Sequence, residues 1–150
     1  MQLWPRSVKG TLWMAALCLL ASVAGAADYP VKNGPVWKGW YAHVDETKFT
    51  QYLDFLNRVH RLELEALKKA GLIIGYQIIV SEARSHDDWN LGIIVEYKDM
   101  AALNLDLARK AQIEKEATAG VPNLEKLEAE HFPMREMIAS RVFREVEFAK

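Results

Sequence analysis

The period at which apolar residues recur changes several times along the chain, and each change marks an element. Val36 to Val44 (Val-Trp-Lys-Gly-Trp-Tyr-Ala-His-Val) is β-branched and aromatic, the composition of a strand. Asp45 then stands as an N-cap with Glu46 in the first turn. Beyond it Phe49, Tyr52, Leu53, Leu56, Val59, Leu67 and Ala70 recur at three- and four-residue spacing, which predicts one helix closed by Gly71 at the C′ position. Glu63 interrupts the stripe, and Asp54/Arg58 and Glu65/Lys69 are spaced to pair on the solvent side. Leu72 to Lys98 holds two β-rich runs around the polar segment Arg84-Ser85-His86-Asp87-Asp88, the pattern of an antiparallel hairpin. Asp99 caps a second helix with Met100, Leu103, Leu107 and Ala111 on one face and a charged, fraying end from Lys110 to Thr118. Asn123 caps a short helix carrying Leu124 and Leu127, Pro133 ends it or opens a further turn, and Ser140 to Ala149 alternates as a last strand. The order βαββαβ predicts an α+β, ferredoxin-like domain: a four-stranded antiparallel sheet with both main helices on one face.

Residue parity divides each strand between two faces. Trp40, Ala42, Val44, Ile74, Tyr76, Ile78, Val80, Leu91, Ile93, Val95, Val142, Val146 and Phe148 share the face expected under the helices, with Lys38 and Arg144 at its rim. The other face collects Trp37, Gly39, Tyr41, His43, Ile73, Gly75, Gln77, Ile79, Asn90, Gly92, Ile94, Glu96, Arg141, Phe143 and Glu145. A solvated face is polar, and this one is about half apolar. Three of its positions are glycines on three strands, and a strand glycine marks close approach of another group. Such a face suits a second copy of the sheet, as in an isologous homodimer, and a pocket with polar groups that orient a small molecule.

The amino terminus reads differently. Arg6 and Lys9, the apolar run Leu12 to Val23 and the small residues Ala24-Gly25-Ala26 form a cleavable secretory signal over residues 1–26. Cys18 lies inside it, preceded by Leu17 rather than the small residue that a lipoprotein signal carries. Residues 27–35, with Pro30, Pro35 and Asn33-Gly34, are an extended lead-in, and 36–150 are the domain. The mature chain is therefore expected in the periplasm or secreted, with no cysteine for a disulfide and no membrane anchor. It carries 17 basic against 20 acidic residues once Arg6 and Lys9 are removed, which gives no electrostatic footprint for nucleic acid.

Val36 onward resembles the dimeric α+β barrel superfamily, a ferredoxin-like group that includes antibiotic-biosynthesis monooxygenase-like domains. Trp89-Asn90-Leu91, Val95-Glu96-Tyr97-Lys98-Asp99-Met100-Ala101-Ala102-Leu103 and Arg144-Glu145 resemble small exported bacterial proteins of unknown function. The resemblance implies a homodimer whose sheets face each other around a cavity. The superfamily includes cofactor-free oxygenases, haem-binding enzymes and isomerase-like members. No catalytic motif carries across residue by residue: the haem-degrading members use an Asn, a Trp and a His, and Asn90, Trp89 and His43 depart from that order.

Candidate chemistry lies on the glycine-bearing face. His43 with Glu96 or Glu145 forms an acid/base set, and Trp37, Tyr41, His43, Gln77, Glu96, Arg141 and Phe143 are the expected ligand-binding residues. The simpler reading pairs these polar groups across the dimer interface without chemistry. Glu82, His86, Asp87 and Asp88 match no metal-ligand spacing and read as a solvated turn. His60 reads as a boundary residue of the first helix and His131 as a helix-end residue. Neither a nucleotide loop nor a hydrolase elbow is present, and no metal or cofactor is expected. Three functions follow: a small-molecule-binding exported dimer, a cofactor-independent oxygenase or isomerase using His43, and a non-catalytic envelope structural or stress-related interaction module.

Overall fold

A computed structural model describes residues 31–104 and 106–148 of the chain. The signal segment 1–26 and residues 27–30 of the lead-in lie outside the described residues. The strands are β1 (Val31–Val44), β2 (Gly75–Val80), β3 (Leu91–Tyr97) and β4 (Arg135–Phe148). The helices are α1 (Phe49–Arg58), α2 (His60–Lys69), α3 (Leu107–Thr118) and α4 (Leu124–His131), with 3-10 turns at Glu46–Lys48, Ala101–Leu103 and Phe132–Met134. All strand pairs are antiparallel, in the order β2-β3-β1-β4. This is the ferredoxin-like α+β arrangement, and the hairpin of β2 and β3 falls where the sequence puts it.

The first helix departs from expectation in its middle. Asp45 caps the 3-10 turn, accepting from the Thr47 amide at 2.9 Å, and α1 follows. At Val59, with φ −117° and ψ −72°, the helical run breaks into α1 and α2. The break divides the core. Val44, Tyr52, Phe55, Leu56, Val59 and Leu91 form one buried cluster, and Val36, Leu67, Ile73, Val95 and Tyr97 the other. Gly71 has φ +72° and closes α2 in the left-handed conformation expected of a C′ glycine. Arg58 pairs with Asp54 at 3.7 Å, whereas Glu65 accepts the Tyr76 hydroxyl at 2.7 Å in place of pairing with Lys69.

The second helix is corrected more fully. Asp99 accepts from the Ala102 amide and caps only a 3-10 turn. Asp106, which accepts from the amides of Ala108 and Arg109, is the true N-cap of α3. The segment expected to fray is the body of the helix, while Met100, Leu107 and Ala111 of the expected buried face are exposed. Leu103 of that face does pack on the core, and Ile113 joins it in place of the others. Asn123 sits at φ 54° and makes no side-chain cap; its carbonyl receives the Leu127 amide.

The sheet differs at its edges. β1 begins at Val31 and β4 at Arg135, both earlier than the sequence indicates. Buried side chains come mainly from the central strands β1 and β3, because the helices lie over the middle of the sheet. Ile74, Val80, Val142, Val146 and Phe148, expected under the helices, are therefore exposed. Ile73 precedes the ladder and turns into the core rather than onto the opposite face. Tyr41 and Ala42 face Ala139 and Met137, so Ile138 is an extra residue in β4, and the bulge reverses that strand's parity below it.

Parity puts Asn90 on the glycine-bearing face, yet its amide is buried at the end of β1. Its Oδ1 accepts from the Val44 amide at 2.8 Å and its Nδ2 donates to the Val44 carbonyl at 2.7 Å. One side chain thus satisfies both polar groups of a residue past the last β1–β3 ladder pair. Asn90→Ala leaves both groups buried without partners and is expected to cost about 2–4 kcal/mol. Urea unfolding checks this as a lowered midpoint at unchanged slope.

Burial raises the hydroxyl pKa of Tyr52, opposed by nearby Arg135, and burial with Glu114 raises that of Tyr97. The folded state thus favours the protonated phenols. Stability from these groups is complete below the ordinary value of 10.0 and is lost as pH rises through their folded values. Thermal melts above that pH are expected to show a steeper loss in wild type than in the Tyr52→Phe, Tyr97→Phe double variant.

Candidate functional site

The glycine-bearing face is partly covered by the chain itself. Tyr41 lies back along β1, and a Cβ at Gly39 would stand 2.6 Å from its hydroxyl oxygen. A Cβ at Gly92, the ladder partner of Tyr41, would stand 2.8 Å from Ile79 and 3.2 Å from the Tyr41 ring. The Trp89 ring packs 5.0 Å away at 59° and closes the other side. Two of the three glycines thus make room for a tyrosine of the same chain. Gly75 has a different neighbour, Glu96, whose Oε2 lies 3.3 Å from a notional Cβ.

Around this covered centre the expected residues fall into separate groups. Tyr41, Arg141 and Phe143 line one shallow depression with Asp88, Trp89 and Ala139. Trp37, Gln77 and Phe143 line another with Ile94. The Trp37 indole donates to Glu145 at 3.4 Å, and Glu96 is the ladder partner of both Trp37 and Gly75.

His43 stands apart from the other two candidate acid/base residues. It lies six positions beyond Trp37 on β1, so about 20 Å of strand separates it from Glu96 within one chain. Its register partner is Glu136, brought to this face by the bulge. The Nδ1 atom of His43 hydrogen-bonds the Asp88 carbonyl at 2.8 Å, so Nδ1 carries the proton and donates. The imidazole stacks on that of His86, 5.1 Å away at 26°. Asp88 also accepts from the amides of Arg84 and Trp89, so the polar hairpin segment is a built turn against β1. Among the described residues no group of His, Cys, Asp and Glu has the geometry to hold a metal ion, and no helix is long and apolar enough to cross a membrane.

Sequence reasoning passed over the other layer. On the helix side of the sheet a cavity of about 260 Å³ opens between α2, α3 and the strands, and His60, Glu63 and Arg135 reach it. The interruption of the helical stripe at Glu63 was the available signal. An acid on the inner face of a helix requires a partner, and His60 is that partner at 2.8 Å.

No protein-family model and no curated protein matches the chain. Solved structures with similarity to it include two dimeric ferredoxin-like proteins from uncultured marine organisms. One is 13% identical over 79% of this chain and 91% of its own, with a TM-score of 0.44. The other is 12% identical over 77% and 98%, also with a TM-score of 0.44. A candidate antibiotic biosynthesis monooxygenase from Caulobacter crescentus is 18% identical over 79% and 92%, with a TM-score of 0.37. The strand order and the single helical layer define a ferredoxin-like α+β domain.

The glycine positions give a direct test. Gly39→Ala forces the Tyr41 ring from its place and is expected to destabilise by about 1–3 kcal/mol. In a Tyr41→Ala background the same substitution is expected to cost less than about half as much, a coupling that a double-mutant cycle in urea reads out.

Proposed function

We propose that the chain is an exported protein that works as a homodimer, pairing through the glycine-bearing face and the β4 edge, and that it binds a small molecule where the two sheets meet. The observation that carries this reading is the unfinished sheet. β4 runs for 14 residues and, among the described residues, is paired only with β1. Phe143 is 43% exposed on the glycine-bearing face, and Val142, Val146 and Phe148 of the same strand are exposed on the other. A long edge strand with exposed apolar side chains among its charges invites pairing with another strand, and a second copy of the same chain meets it with two-fold symmetry.

The depressions at Tyr41/Arg141/Phe143 and Trp37/Gln77/Phe143 would be roofed by the partner sheet, which supports ligand binding there. The signal pattern of residues 1–26 supports export with loss of that segment, and with it a location in the periplasm or outside the cell. The catalytic alternative keeps one observation in its favour: Nδ1 of His43 is held by the Asp88 carbonyl, which leaves Nε2 as the acceptor of the neutral ring. Glu136 is then the carboxylate beside it, and Glu96 or Glu145 would have to come from the second copy.

Light scattering on the purified protein is expected to give the mass of a dimer at micromolar concentration. Phe143→Glu is expected to yield a folded monomer, with intrachain stability changed by less than about 0.5 kcal/mol, as for an exposed site. A wild-type monomer at that concentration rules the shared cavity out.

A further inference from the structure

The cavity on the helix side belongs to a single chain and owes nothing to the pairing of sheets. Its walls are apolar where Trp40, Leu64, Leu67, Ile93 and Val95 meet. Besides the Lys110–Glu114 pair, two polar features interrupt them. His60 is held by Glu63, whose Oε2 lies 2.8 Å from Nδ1, and a carboxylate there only accepts, so Nδ1 bears the proton. The Nε2 atom of His60 is buried and has no hydrogen-bond partner among the described residues. In the neutral ring that atom is an acceptor.

The second feature is Arg135, turned to this side by the bulge at Ile138. Its guanidinium lies 5.1 Å from the centre of the Phe132 ring and 6.0 Å from that of Tyr52, and it makes no ion pair among the described residues. Lys110, by contrast, is neutralised by Glu114 on the next turn of α3. The cavity therefore offers one cation outside any ion pair among the described residues and one buried imidazole acceptor, against apolar walls, with the Glu63 carboxylate held on Nδ1 of His60.

Size narrows the choice. A cavity of about 150 Å³ takes a benzene molecule. One of about 260 Å³ takes a single ring with polar substituents.

We propose that this cavity is a binding site for a one-ring hydroxy-aromatic carboxylate. Its ring lies between Trp40 and Leu67, its carboxylate pairs with Arg135, and its hydroxyl donates to Nε2 of His60. Arg135 supplies parallel donors suited to a carboxylate, and its aromatic neighbours hold the guanidinium plane. The ligand hydroxyl gives the orphaned imidazole nitrogen the partner that a buried polar atom requires. Glu63 is a positioning residue: it fixes the tautomer that leaves Nε2 free to accept.

The probes are benzoate, the three monohydroxybenzoates and 4-hydroxybenzamide, titrated calorimetrically into the purified protein. At least one hydroxybenzoate is expected to bind about fivefold or more tightly than benzoate, the effect of one hydrogen bond to a buried acceptor. Arg135→Gln is expected to weaken every carboxylate about tenfold or more while leaving the amide unaffected. His60→Phe is expected to abolish the advantage of the hydroxyl and spare benzoate. Glu63→Gln, which still accepts from Nδ1, is expected to preserve most of that advantage. Urea unfolding of each variant separates lost binding from lost fold. No binding of any probe at millimolar concentration, or binding indifferent to both Arg135→Gln and His60→Phe in folded variants, overturns the proposal. Because the cavity lies within one chain, the result is independent of whether light scattering finds a dimer.

Discussion

One extra residue in β4 determines what each layer of this protein has to work with. With Ile138 bulged, Met137 and Arg135 point beneath the helices and Glu136 lies beside His43. An unbroken ladder would reverse all three. A carboxylate would then enter the helix-side interior, where charge needs a partner, and the cation of the cavity would move to the glycine-bearing face with Arg141. A bulge also sharpens local twist. The two faces are therefore coupled through a single backbone irregularity, although they carry different chemistry.

The parts of the fold visible in the sequence are those that periodicity controls. The βαββαβ order, the hairpin at Leu72–Lys98, the glycine ending α2 and the inward faces of the central strands all follow from the spacing of apolar residues. The irregularities are far less marked. Neither Val59 nor Ile138 is a glycine or proline, and the interruption of the stripe at Glu63 is the sole mark near the first. Asp99 and Asp106 are equally good caps, and only packing selects the second for α3. At the edges, parity assigned Val142, Val146 and Phe148 to a helix layer that is too narrow to reach them.

The candidate site was legible to a similar degree. Counting residues on one face found Trp37, Tyr41, Gln77, Arg141 and Phe143, and they do share it. Distance along the strand, which parity ignores, separates His43 from Glu96. A strand glycine marks room for something close, and the occupant is Tyr41 at Gly39 and Ile79 with the Tyr41 ring at Gly92. An interior histidine and acid on α2 were visible as an interrupted stripe, yet their meaning depended on Arg135, brought there by the bulge.

The break at Val59 has a consequence for motion. It divides the helical layer between two buried clusters, so α1 and α4 hold one end of the sheet while α2 and α3 hold the other. Of the α3 side chains only Thr118 is fully buried, which makes this the half with less to lose on opening. Such unequal anchoring separates a protein into cooperative units of different opening free energy. Amides of α3 are therefore expected to exchange faster than those of α1.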